Sequence, residues 1–293
     1  MQSFTNSDLQ QIFLISSQSK SHNITNQSNE LWKYSFTNKI QPQYSFDLTQ
    51  ILYQFAHNVT IHNREVSDTN ANPLLLNPPG FDIVIPLNGT YMYCPVNVAW
   101  FFYSTTLNIM VIVFTGTYNY ILSVADVNYF QISPKTLNNY VEGMMVHGGF
   151  GTLYESIRSE LFILIAKYYN SSSQVFITGL SLGGATSSIC ALDLINKNIS
   201  GEINKNITNI CHYSFASPRV FNDIGARKYN QTVINSYRIL NGSDIIPNVP
   251  MPIMPVSSTE TQLFTHIGEL KYFDENLGNY YDNHITAYSK QYI

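Results

Sequence analysis

The run Gln174-Val175-Phe176-Ile177-Thr178-Gly179-Leu180-Ser181-Leu182-Gly183-Gly184-Ala185 decides how this chain is read. Apolar and β-branched residues lead up to a glycine. A serine follows one residue later, then two more glycines, then a helical pattern to Ile195. The order is strand, sharp turn, helix, with Gly-x-Ser-x-Gly at the turn. Such a turn is a nucleophile elbow, which strains its central residue and lifts the hydroxyl above the sheet. Side chains at Gly179 and Gly183 would collide with the neighbouring strand and helix. The new helix also aims its first N–H groups at the place where an oxyanion would form.

Composition sets the bounds. The chain has 293 residues, 44% hydrophobic and 14% aromatic, enough for one large α/β domain or two small ones. Only 12% is charged, the net charge is −4, and there is no basic run. That pattern excludes a nucleic-acid partner and a cationic membrane-surface segment. Cys94, Cys190 and Cys211 show no C-x-x-C spacing, so neither a metal site nor a disulfide framework is expected. Met1-Gln2-Ser3-Phe4-Thr5-Asn6 lacks the features of a secretory signal. No apolar run is long enough for a transmembrane segment. The expectation is a soluble protein, cytoplasmic or otherwise intracellular.

Along the chain, residues 7–15 read as a short helix and 16–29 as a polar loop. Helical spacing of Leu48, Ile51, Leu52 and Phe55 predicts a helix over 46–60. Residues 64–80 read as a long surface connection. Strands are expected at 90–94, 96–103 and 107–114, the last an almost unbroken apolar run typical of a buried central strand. Tyr118–Tyr129 is dense in apolar and aromatic residues, with Asp126 its only acid, and reads as a short helix over the mouth of a site. An amphipathic helix follows His147, with Leu153, Ile157, Leu161, Leu164 and Ile165 on one face. After the elbow helix come a strand at 208–215, a short helix at 222–229, a strand at 236–240, a hairpin within 262–273 and a helix around 284–292. Strands alternating with helices imply an α/β fold with a mainly parallel central sheet covered on both faces.

A serine nucleophile needs a base to take its proton and an acid to orient that base. Asp244 stands at the carboxyl end of a predicted strand, where catalytic groups of parallel sheets collect. Asp193, Asp223, Asp274 and Asp282 are the other aspartates after Ser181. Two histidines follow Asp244. His266 falls in the hairpin pattern. His284 falls at the start of the last helix, where a loop can carry it over the sheet edge.

Six separated stretches share one resemblance. They are Val111 to Thr117, Val146 to Phe150, Ile177 to Ala185, Tyr213 to Val220, Arg238 to Pro247 and His284 to Tyr288. In this order they resemble the class 3 (fungal-type) lipases of the α/β-hydrolases, over roughly residues 90–293. The resemblance implies one α/β-hydrolase domain over 1–293. About 1–89 would be a variable N-terminal helical segment and 90–293 the motif-bearing catalytic region. It implies Ser181 as nucleophile, Asp244 as acid and His284 as base. It further implies an oxyanion hole from Thr117 and the Leu182 N–H, and a lid at Tyr118–Tyr129. The implied activity is a serine lipase or esterase, hydrolysing carboxylic esters of acylglycerols or phospholipids through an acyl-enzyme. The partner would be a lipid or other ester, met at a membrane or lipid interface, with no metal or organic cofactor. The alternative is a catalytically inactive lipid-binding relative. Two positions depart from the family pattern. Thr115 stands where the family usually has an Arg that braces the oxyanion loop through an ion pair, and Leu180 where it usually has His.

Overall fold

The computed structural model describes residues 32–37, 43–67, 76–195 and 207–293. The helix expected at 7–15 and the loop at 16–29 lie outside them. Helix α1 (Phe46–Ser67) comes first. Strands β1 (Ile83–Tyr91), β2 (Cys94–Ser104) and β3 (Ile109–Phe114) follow. Then come α2 (Tyr120–Val127), α3 (Gly148–Tyr168), β4 (Gln174–Leu180) and α4 (Leu182–Leu194). The chain continues with β5 (Ile210–Phe215), α5 (Asp223–Thr232), β6 (Ser236–Asn241), β7 (Glu269–Phe273) and α6 (Ala287–Tyr292).

The seven strands form one sheet whose spatial order follows chain order. β1, β2 and β3 are antiparallel, and β3 through β7 run parallel. A parallel pair needs a crossover, and α3, α4 and α5 supply crossovers for the central strands. All six residues of β3 are buried. Each such apolar side chain contributes about 1.5–3 kcal/mol on burial. Its two faces serve two cores. Met110, Ile112 and Phe114 pack with α3, α4 and α5. Ile109, Val111 and Val113 pack with α1 and α6. A strand buried on both faces reads as an unbroken apolar run, which is why it is so visible in the sequence.

Three expectations are corrected and one is refined. Helix α1 does not stop near residue 60 but continues to Ser67. Its later polar residues Thr60 and Asn63 bond to the segment after β3, and residues 64–67 belong to the helix rather than to the surface connection expected over 64–80. Residues 90–94 are not one continuous strand. They hold the turn of the β1–β2 hairpin, with Tyr91 paired to Cys94 and with Met92 and Tyr93 at φ 49° and 65°. Such a turn usually carries Asn-Gly, and Met-Tyr gives no such signal. Residues 262–273 are not one hairpin. Thr261–Leu263 pairs back onto Ile253–Pro255, while β7 joins β6 in parallel. The last helix begins with a π-helical turn, Asp282–Thr286. No helix among the described residues is long and apolar enough to cross a membrane.

Candidate active site

The elbow is built by close backbone packing. A Cβ on Gly179 would lie 2.3 Å from the Gly183 carbonyl group, and one on Gly183 would lie 2.3 Å from the Phe114 oxygen. Only glycine fits either place, so α4 can start directly above β4. Ser181 itself takes φ 59°, ψ −124°. This strained conformation is held by its N–H, which donates to the Phe215 oxygen of β5 at 2.8 Å, and by its carbonyl, which accepts from Ala185 N–H. The first N–H groups of a helix have no partner within it, so the Leu182 N–H starts α4 beside the serine hydroxyl.

The loops after β6 and β7 bring the other groups over the same edge. His284 Nε2 lies 2.8 Å from Ser181 Oγ. His284 Nδ1 lies 2.8 Å from Asp244 Oδ2. His284 and Asp244 are 3% and 2% exposed, so this pair is shielded from competing water. With Nδ1–H donating to the carboxylate, Nε2 carries the lone pair and accepts the serine proton. Asp244 also accepts from the Ile246 N–H at 2.9 Å and from the Tyr288 hydroxyl at 3.0 Å. Burial, with Asp244 beside it, holds the Tyr288 hydroxyl protonated, its ionisation pushed well above the ordinary value. Tyr288 in turn accepts from the Asn241 N–H. Tyr288 lies four residues after His284, one helical turn, and that spacing is the signal that points to it in the sequence.

The other acids and the other histidine have different surroundings. Asp193 pairs with Arg158 at 2.6 Å and accepts from Tyr154 at 2.7 Å, tying α4 to α3. Asp223 pairs with Arg227 on the surface of α5. Asp274 accepts from Ser243, and Asp282 from Thr286. His266 does not join the site. Burial, with Arg238 and Arg219 beside it, pushes its ionisation down to about 3.

Thr117 follows the end of β3 and faces α2. Its hydroxyl donates to Asp126 Oδ2 at 2.6 Å. Burial pushes the Asp126 carboxyl up to about 7, opposed by the Thr117 bond and by nearby His284. Helix α2 starts at Asn119, whose side chain accepts from the Leu122 N–H. Leu122 and Ala125 are fully buried in the core, while Ser123, Asp126 and Val127 line a cavity that also reaches Ser181 and His284. Its volume is ≈ 90 Å³. The opposite wall comes from His57, Thr60, Ile61 and Arg64, successive turns of one face of α1. No motif in the first 89 residues points to this wall. Burial pushes His57 down to about 4, against its contact with Asn58 and helped by Arg64, so it is neutral at neutral pH.

The model of the family "Lipase (class 3)" matches residues 111–254. A lipase of Rhizomucor miehei is 30% identical over 167 residues, covering 56% of this chain and 42% of the relative. A secreted mono- and diacylglycerol lipase of Malassezia restricta is 31% identical over 154 residues, 50% of this chain and 49% of the relative. The solved Rhizomucor miehei triacylglyceride lipase superposes with a TM-score of 0.50 at 28% identity, over 66% of this chain and 65% of that one. The match thus spans less than half the length of these curated relatives. The chain belongs to the class 3 lipase family, and its mixed, mainly parallel sheet is the α/β-hydrolase fold of the fungal lipases.

Proposed function

We propose that this protein is a serine lipase or esterase hydrolysing carboxylic esters of lipids, acylglycerol or phospholipid. The observation that carries the reading is the unbroken chain from Ser181 Oγ through His284 to Asp244, 2.8 Å at each link, on a strained elbow. His284 Nε2 takes the Ser181 proton as Oγ attacks the ester carbonyl. The tetrahedral oxyanion is held by the Leu182 N–H and by Thr117. It collapses as His284 returns the proton to the leaving alcohol, which leaves Ser181 acylated. Water then gives a proton to His284 and its oxygen attacks the acyl carbonyl. The carboxylic acid leaves, and Ser181 regains its proton. Membership of the class 3 lipase family supports the substrate class, and the largely apolar wall of the cavity suits an acyl chain.

The test is labelling with a fluorophosphonate, followed by a panel of p-nitrophenyl esters, acylglycerols and phospholipids. An adduct on Ser181, absent from Ser181→Ala, together with turnover of at least one ester supports the reading. A folded protein that takes no label and turns over no ester is instead a lipid-binding relative of the family.

A further inference from the structure

The segment Thr115-Gly116-Thr117-Tyr118 carries the proposed oxyanion donor, yet it lacks the arginine that usually braces this loop in the family. What holds it here is a set of uncharged groups on two neighbouring elements. From α1, Thr60 Oγ1 accepts the Gly116 N–H at 2.9 Å while donating to the Ala56 oxygen. One turn on, Asn63 Nδ2 donates to Thr115 Oγ1 and to Asn97 Oδ1, each at 2.9 Å. The Asn63 oxygen accepts from Trp100 Nε1 of β2 at 3.2 Å. From β2, the Val98 oxygen accepts the Thr115 N–H at 3.1 Å. The Asn97 N–H donates to the Tyr118 hydroxyl at 2.8 Å. Residues 115, 116 and 118 are therefore each tied down, and Thr117 lies between them.

Asn63 is 5% exposed and Thr115 0%, and neither lines the cavity. A buried amide with every branch bonded is stiff, because loosening it strands polar groups away from water. Gly116 leaves little room for drift, since even a Cβ there would come within 3.0 Å of the Leu180 oxygen.

We infer that Asn63 and Thr60 of α1 are positioning residues, an uncharged brace that fixes the oxyanion segment against the elbow in place of an ion pair. The inference rests on the ester-hydrolase reading. Its chemistry predicts more than a stable loop. Oxyanion stabilisation depends on donors already in place when charge develops. A displaced donor lowers kcat while leaving ground-state binding alone. None of these side chains carries a charge near neutral pH, so at a fixed pH the effect of losing the brace is the same across salt concentration.

The experiment uses Thr115→Val and Asn63→Leu, near-isosteric changes that delete the bond, and Thr115→Ser, which keeps the hydroxyl. A short soluble p-nitrophenyl ester gives kcat and KM, and hydrogen exchange gives the mobility of residues 115–118. The first two variants lose kcat by about 10–100-fold, the scale of a small misplacement at a reacting centre, with KM little changed. At one pH below 7 the wild-type to variant ratio stays flat across salt, and Thr115→Ser recovers most of kcat. Exchange at 115–118 quickens while β4 keeps its protection. If Asn63→Leu loosens the whole chain, Thr115→Val decides alone. Quicker exchange with wild-type kcat overturns the positioning role, and unchanged exchange overturns the brace. A wild type inert toward esters and phosphonate overturns the hydrolase reading instead, while exchange still reports the brace.

Discussion

Thr117 donates its hydroxyl proton to Asp126 across 2.6 Å, joining the proposed oxyanion segment to helix α2. While the aspartate is ionised, that proton is committed to it and is not offered to an oxyanion. A protonated Asp126 reverses the bond: the carboxyl donates to Thr117 Oγ1, and the threonine proton is free to turn toward Ser181. Burial raises the carboxyl to about 7, so both forms are populated near neutral pH.

Replacing Asp126 with Asn supplies a permanent amide donor to Thr117. Wild-type kcat on a short soluble ester should then fall by about tenfold as pH rises well above 7, part of the effect of losing one oxyanion donor. The Asp126→Asn variant should not show that fall. A matching decline in both proteins would separate Asp126 from the chemistry.

The same group links stability to pH. Its folded value is raised, so folding takes up a proton between the unfolded value of about 3.9 and the folded value of about 7. The stability it contributes is present in full below the unfolded value and is lost as pH rises through the folded one. Calorimetric Tm of the wild type, measured relative to Asp126→Asn, should therefore decline from acid toward pH 7 and level off beyond it. A constant difference would place the carboxyl in water.

Ser181→Ala should lose roughly 10³-fold or more in ester turnover with circular dichroism unchanged, because little remains beyond binding and the oxyanion donors. His284→Ala should be nearly as damaging, since members of such a unit are not additive. His266→Ala should leave turnover near wild type and show itself in Tm. Turnover assays of the three variants check the order, and a damaged His266→Ala beside an active His284→Ala would reassign the base.

The sequence makes some of this architecture plain and hides the rest for physical reasons. The elbow is legible because Gly179 and Gly183 answer to backbone contacts that no other residue tolerates. β3 is legible because both of its faces are buried. Asp244 is legible because β6 ends in turn residues at the sheet edge. The α1 wall is not legible, since Thr60, Asn63 and Arg64 look like a polar helix end or a loop until their partners are known. Asn63 bonds to Thr115, 52 residues away, and no local pattern records such a pairing. β1 hides for another reason. Pro86, Asn88 and Gly89 are poor strand formers, tolerated here because β1 is an edge strand paired on one side only.

Tyr288→Phe keeps the ring and removes the donor to Asp244 Oδ2. The carboxylate retains Ile246 N–H and His284, so its position should soften rather than fail. The expected loss is about 3–10-fold in kcat, comparable to one net hydrogen bond of about 1 kcal/mol. Steady-state kinetics check it, and a wild-type kcat would make Tyr288 a packing residue alone.

Helix α2 limits the space beside Ser181. The cavity between α1 and α2 is ≈ 90 Å³, whereas sites for drug-sized ligands run about 300–1,000 Å³. A long acyl chain does not fit beside Ser181 while Ser123, Asp126 and Val127 hold their places. Helix α2 is eight residues long and contains no Lys or Arg. Leu122 and Ala125 bury its inner side against the core. Lifting it exposes those apolar groups, which costs free energy in water and far less at a lipid surface. Short soluble esters should therefore show ordinary saturation. A long-chain ester should show a rise in rate as its concentration passes the solubility limit. Leu122→Ser weakens the inner packing and lowers the cost of opening, so it should blunt that rise and spare the short esters. Rate measured against concentration through the limit, for wild type and variant, checks both statements. A smooth curve through the limit, the same in both proteins, would mean that α2 is a fixed wall and that the acyl chain enters by another face.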